Sequence, residues 1–301
     1  MIVAQHIPVL LREITEGFRE VRGNVLDATF GGGGHARAIL DSNPHIQIWA
    51  IDCDGEAEQR AEEMKTIYGV RFRFRRTNFS HSSVWEQKFS GILFDLGVSS
   101  HQLDQAHRGF SFRLDGPLDM RMDSDGETAK EFLEMATASR LTEAVRDFGE
   151  EREWRKIVRR ILEGRGRNLF DTTVGLVKYL RPVLGRNTKI HPATRVFQGL
   201  RMAVNDELEN LQLALPKAFE ALEKGGILAV ISFHSLEDRR VKRWFNHFAG
   251  RSVSREDPTP RQLRVARARL LNLKPIVPDA AERDRNPRSR SAKLRILQKT
   301  L

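Results

Sequence analysis

With 301 residues, 40% of them hydrophobic and 30% charged, the chain can bury a sizeable core, and its composition excludes disordered, collagen-like and low-complexity classes. Its single cysteine, Cys53, excludes an internal disulfide framework and a cysteine-cluster zinc site. The formal net charge is +10, so a polyanion is an expected partner.

Asn24–Ala28 is a short apolar run ending at a glycine cluster, as a buried parallel strand feeding a tight turn would be. Ile46–Asp52 predicts a second strand, ending in an acid, and Ala57, Ala61, Met64 and Ile67 mark a helix after it. Val70–Phe74 and Gly91–Asp95 predict a third and a fourth strand. Strands alternating with helices indicate βαβ units and a parallel, doubly wound α/β sheet. Residues 105–195 break that rhythm with loops around Gly109–Gly126 and helix-period segments at Lys130–Met135 and Leu141–Phe148. Thr194–Leu215 has helical spacing, Pro216 opens a further helix, and Gly225-Gly226 closes it. Ile227–Phe233 predicts the most hydrophobic strand, Leu236–Phe248 a basic amphipathic helix, and Leu270–Val277 and Lys293–Leu297 two last strands. The expected organisation is one α/β domain, residues 1–104 and 196–301, split by a helical insertion over 105–195.

The longest apolar stretch, Gly226–Phe233, falls short of the roughly 18 residues of a membrane helix. The opening MIVAQHIPVLLREI lacks a basic n-region and a cleavage site, so a cytoplasmic protein without membrane or disulfide partners is expected. Charge is unevenly placed. Residues 1–151 hold 17 basic and 25 acidic side chains, whereas 152–195 hold 12 and 3, and 251–301 hold 14 and 5. Two arginine-dominated segments suit phosphate contacts, which release counterions from nucleic acid.

The sharpest local signal is Asp27-Ala28-Thr29-Phe30-Gly31-Gly32-Gly33-Gly34-His35 at a strand-to-helix turn. Glycines there permit positive φ and let a ligand lie against the backbone. No GK[ST] follows, which excludes a Walker loop. Asp52, ending the next strand, suits the ribose diol of an adenosine cofactor, leaving NAD and S-adenosylmethionine as rivals.

Several longer motifs resemble one known family. His6-Ile7-Pro8-Val9-Leu10, the glycine loop, Phe94–Ser100, Arg108-Gly109-Phe110-Ser111-Phe112, Gly116–Met122, His191-Pro192-Ala193-Thr194-Arg195, Ile231–Arg239 and Asn286–Arg295 are similar to those of the bacterial 16S rRNA (cytosine-N4)-methyltransferase H family, in order along nearly the whole chain. The resemblance implies a class I, Rossmann-like methyltransferase fold, S-adenosyl-L-methionine as cofactor, and a decoding-centre cytidine of 16S rRNA in the small ribosomal subunit as acceptor. It implies cofactor contacts at Gly33, Gly34, His35, Asp52, Phe79, Asp95 and Gln102. Beside these, Gly31 belongs to the loop, Asp27 at its entrance suits the cofactor ammonium, and Asn78 suits a hydrogen bond to adenine. The family pattern has Pro where His101 stands.

Methylating an exocyclic amine is a direct displacement that needs no metal and no covalent enzyme intermediate. Its difficulty is a lone pair delocalised into the ring, which a hydrogen-bond acceptor at N4–H localises. The (D/N/S)PP(Y/F/W) motif of DNA amino-methyltransferases is replaced here by Asp95-Leu96-Gly97-Val98. Asp95 is therefore the expected acceptor, with His234, Glu237 and Asp238 as weaker catalytic candidates. Phe110 and Phe112 are candidates for holding the extruded base, and Arg155, Arg159, Arg160, Arg288 and Arg290 for RNA backbone contacts. An assembly factor without turnover is the rival reading, but it has no need of the glycine loop, Asp52 and Asp95 together.

Overall fold

The computed structural model describes residues 8–123, 125–185, 191–254 and 256–301, so His6 and Ile7 of the first motif lie outside the described residues. The chain divides into two compact units: the described residues up to Gly97 joined with Leu208–Leu301, and Val98–Glu207. The first segment of unit one holds α1 (Leu11–Gly17), β1 (Gly23–Asp27), α2 (Gly34–Ser42), β2 (Ile46–Asp52), α3 (Ala57–Tyr68), β3 (Phe72–Arg76) and β4 (Phe89–Asp95). Unit two holds α4 (Ser100–Asp104), α5 (Ala129–Met135), α6 (Ala138–Thr142), α7 (Trp154–Gly164), α8 (Thr173–Leu180) and α9 (Ala193–Val204). After α10 (Glu207–Ala221) come β5 (Leu222–Ser232), α11 (Ser235–Phe248), β6 (Ala268–Leu270), α12 (Ala280–Arg285) and β7 (Lys293–Lys299). The second unit thus begins at Val98 and ends at Glu207, outside the 105–195 expected, because α4 and the whole of α9 belong to it.

Among the described residues the strands of unit one form a seven-stranded sheet in the order β3-β2-β1-β4-β5-β7-β6. β1 to β5 pair in parallel, whereas β7 runs antiparallel to both β5 and β6. This is the class I methyltransferase sheet that the resemblance implies. Alternation along each strand divides its side chains between two buried layers. Val25, Leu93, Ala229, Ile231 and Leu294 join the core on one face, where residues of α1, α2 and α3 pack. Leu26, Ile92, Phe94, Leu228 and Val230 join the core on the other face, with residues of α10 and α11. Covering both faces is what lets these strands be almost continuously apolar.

Unit two has its own core, built from Phe132, Leu141, Val145, Ile157, Ile161, Phe170, Leu176, Val196 and Leu200 among others. α7 illustrates its logic: Ile157, Val158 and Ile161 recur at helical spacing and are buried, while Arg155, Lys156 and Arg159 face solvent.

Three expectations of the sequence reading are corrected. The helical run over Thr194–Leu215 breaks after Val204, because the Asn205 side chain donates to the carbonyls of Arg201 and Met120 and accepts from the Met122 N–H. Pro216 sits inside α10 rather than opening a helix, and the carbonyl that its missing N–H leaves free belongs to Gln212, an exposed residue. The helix ends at Ala221, and Gly225-Gly226 falls within the span of β5. The strand expected over Leu270–Val277 is β6 at its beginning only. Beyond it the Asn272 side chain donates to the Leu294 carbonyl and accepts from the Ile296 N–H, and Pro275 offers no N–H to a ladder.

Candidate cofactor and catalytic site

The parallel sheet reverses its winding between β1 and β4, and ligands of open α/β sheets bind outside the carboxyl ends of strands at such a point. Asp27, Asp52 and Asp95 end β1, β2 and β4 there. Asp27 is 1% exposed, and burial lifts its carboxyl to about 7 against the opposing pull of His35 and of the Thr29 N–H. Burial also raises the Asp52 carboxyl, although its two oxygens accept the N–H groups of Gly31 (2.7 Å) and Asp54 (2.8 Å).

The glycine loop is shaped by backbone need. Gly33 caps α2 in the left-handed region at φ 74°, and a Cβ there would stand 2.7 Å from the Phe30 ring. A Cβ on Gly34 would stand 2.3 Å from Cγ of Pro8. Gly31 is held from both sides, its N–H by Asp52 and its carbonyl by the Arg60 guanidinium at 2.9 Å.

His35, in the first turn of α2, is 6% exposed, and its Nε2 lies 3.4 Å from Asp95 Oδ2. That spacing is a close polar contact without hydrogen-bond geometry. Both ring nitrogens and Asp95 Oδ1 are buried without a hydrogen-bond partner among the described residues. Buried polar atoms are seldom left so, and these await a ligand. The Asp95 N–H donates to Thr29 Oγ1 at 2.6 Å, and the Thr29 N–H to Asp27 Oδ1 at 3.2 Å. Thr29 therefore links the ends of β1 and β4, a role that a loop threonine does not announce in sequence. With its carboxylates and glycine cradle, this set of groups fits a cationic, hydroxyl-bearing nucleoside cofactor.

Phe79 is half-buried and meets the Phe94 ring edge-on at 5.5 Å, and Asn78 Oδ1 accepts from the Ser80 N–H. Gln102 lies in unit two, where it and Ser99 form the reciprocal capping box of α4. This box orders the turn around His101 without the proline of the family pattern.

The other catalytic candidates, His234, Glu237 and Asp238, make cap and ion-pair contacts around α11. His234 caps α11, with Nδ1 accepting from the Glu237 N–H, while Glu237 Oε2 accepts from the N–H groups of Phe233 and His234. Asp238 is held by Arg295 at 2.7 Å and by Lys293 at 3.4 Å. Burial alone would raise its carboxyl, but these cations outweigh it and hold Asp238 below the usual carboxylate range.

Among the expected RNA contacts, Phe110 is 6% exposed and packs with the core of unit two. Phe112 is half-buried between the rings of Phe197 and His191. Arg160 is half-buried: its guanidinium lies over the Tyr179 ring and its Nε donates to the Tyr179 carbonyl at 2.7 Å. Arg155, over Trp154 at 4.3 Å, and Arg159 remain on the solvent face of α7, and Arg288 and Arg290 are exposed before β7.

Among the described residues no helix is long and apolar enough to cross a membrane. Residues 3–300 match the model of the MraW methylase family. The chain is 44% identical to ribosomal RNA small subunit methyltransferase H of Granulibacter bethesdensis, covering 97% of this chain and 91% of that one. It is 46% identical to the protein of that name from a Cyanothece species, covering 98% and 94%. An rRNA methylase structure from Streptococcus thermophilus is 10% identical with a TM-score of 0.44, covering 98% of this chain and 99% of that one. A family match over almost every residue, joined to close relatives of nearly equal length, settles membership: the chain belongs to the MraW methylase family.

Proposed function

We propose that this protein transfers a methyl group from S-adenosylmethionine to the N4 amine of a decoding-centre cytidine in 16S rRNA, working in the cytoplasm on the small ribosomal subunit. The observation that carries the reading is the convergence of Asp27, Asp52, Asp95 and the glycine cradle at the switch point of a methylase-family sheet. The small-subunit names of the relatives support the RNA, and the motif resemblance supports the cytidine amine.

The cofactor supplies an electrophilic methyl group on a sulfonium. Asp52 accepts hydrogen bonds from ribose hydroxyls, Asp27 in its ionised form faces the ammonium, and Gly31, Gly33, Gly34 and the backbone of His35 form the cradle. Phe79 packs beside adenine with Asn78 at its edge. Asp95 Oδ1, without a hydrogen-bond partner among the described residues, accepts an N–H of the target amine and so localises its lone pair. The helical unit Val98–Glu207 serves as the RNA-recognition part. Phosphate contacts fall to Arg155 and Arg159 within it and to Arg288 and Arg290 in the other unit.

Mass mapping of nucleosides in 16S rRNA, from cells with and without this protein, tests the reading. N4-methylated cytidine at one decoding-centre position, lost on deletion and restored by the wild-type chain, is the expected result. Methylation of another atom or another RNA would overturn it.

A further inference from the structure

We propose that His35 is a positioning residue for methyl transfer, its Nε2 holding Asp95 Oδ2 so that Oδ1 stays turned toward the target amine. The inference rests on the acceptor role of Asp95 given above, and it assigns the His35 side chain to that acceptor rather than to the cofactor.

The geometry points one way. Asp95 is fixed at its backbone by Thr29 Oγ1, while its side chain faces His35 Nε2, 3.4 Å from Oδ2. Among the described residues Oδ1 has no hydrogen-bond partner, and neither has either imidazole nitrogen. A histidine whose purpose was packing would not bring two unsatisfied nitrogens to a site 6% exposed. The charged groups facing it are Asp27 from the end of β1 and Asp95 from the end of β4, with Asp52 beyond Asp27. A donor on Oδ2 removes the freedom of the carboxylate to rotate, and long contacts of this kind tighten when substrate fills a site.

The proton bookkeeping also requires a held carboxylate. The N4 lone pair forms the new bond to the methyl carbon, and the electron pair of the carbon–sulfur bond stays on sulfur. The nitrogen then carries a positive charge and gives up one of its two protons to Asp95 Oδ1. Asp95 passes that proton on to solvent after product release.

The test is a double-mutant cycle on the full chain, with S-adenosylmethionine and small-subunit particles that lack the modification. Single-turnover rates at saturating cofactor and RNA are measured for wild type, His35→Leu, His35→Gln, Asp95→Ala and the His35→Leu/Asp95→Ala pair. Calorimetry of S-adenosylmethionine binding runs alongside and verifies that each variant is folded.

His35→Leu should lower the saturated rate about 10- to 100-fold, the scale of a misaimed catalytic group, with cofactor affinity little changed. His35→Gln, which keeps an N–H donor, should recover most of the rate. In the Asp95→Ala background His35→Leu should cost nothing further, because the two residues act as one unit. Equal losses in both backgrounds, a loss confined to cofactor affinity, or Gln as poor as Leu would each overturn the proposal. Which atom the wild-type enzyme methylates judges the proposed function separately, since the variant contrast is read on whatever product forms.

Discussion

Asp27 carries a pH dependence whose direction follows from its burial. Its carboxyl titrates near 7 in the folded chain and at 3.8 when unfolded. Between those values the folded protein keeps a proton that the unfolded chain releases, so this residue's contribution to stability falls as pH rises through the window and is constant above about 7. Denaturant unfolding at pH 5 and pH 8 should therefore differ less in Asp27→Asn than in wild type. Cofactor binding should run the opposite way, because the ammonium needs the ionised carboxylate. Wild-type affinity for S-adenosylmethionine should climb until about pH 7 and then level, whereas Asp27→Asn should bind weakly with no such climb. Asp52 supplies a second test by calorimetry. Asp52→Ala should weaken S-adenosylmethionine by roughly 1.5–3 kcal/mol, the scale of lost charge-assisted hydrogen bonds. Unchanged affinity in a folded variant would remove Asp52 from the site.

At the scale of elements, α11 hangs on its caps and on β7. Asp238 and Arg295 are 13% and 10% exposed, so Asp238→Ala leaves a nearly buried guanidinium without its carboxylate. A loss of about 2–3 kcal/mol in chemical denaturation is expected, below the cost of breaking a fully buried pair. The saturated methylation rate at low temperature should be nearly unchanged, and a large fall in that rate with intact stability would return Asp238 to the chemistry. The strands that end in acids were legible in sequence because apolar runs closing on a carboxylate at a turn have one common meaning in a parallel sheet. The break at Asn205 was not, since it depends on bonds to Met120 and Met122 from a loop more than eighty residues away in sequence. The burial of Phe110 was hidden for a related reason. An aromatic in a glycine-flanked loop has the same local sequence whether it packs inward or is offered to a base.

For the molecule as a whole, the uneven charge predicts how RNA affinity responds to salt. If the exposed arginines of α7 touch phosphates, replacing Arg155 and Arg159 with Ala should reduce the slope of log K against log salt by about one unit per contact. Arg160→Ala should leave the slope as it is and lower stability instead, by about 1–2 kcal/mol, through the lost stacking on Tyr179 and the lost bond to its carbonyl. Filter binding over a salt series, paired with thermal melts, separates the two effects. Net charge alone pointed to a polyanion, but it could not distinguish arginines that fold the protein from those left to face a partner.

The strand order also has a meaning in time. β5 lies in the sheet between β4 and β7, yet Lys293, which pairs with Ser232, is made 61 residues later. During synthesis, then, the most apolar strand of the chain waits with one edge open while α11, β6 and α12 are made. An open apolar edge is a template for pairing with another chain. The nascent protein is therefore most vulnerable to aggregation in the interval just before β7 emerges, and β7 acts as the clasp that ends it.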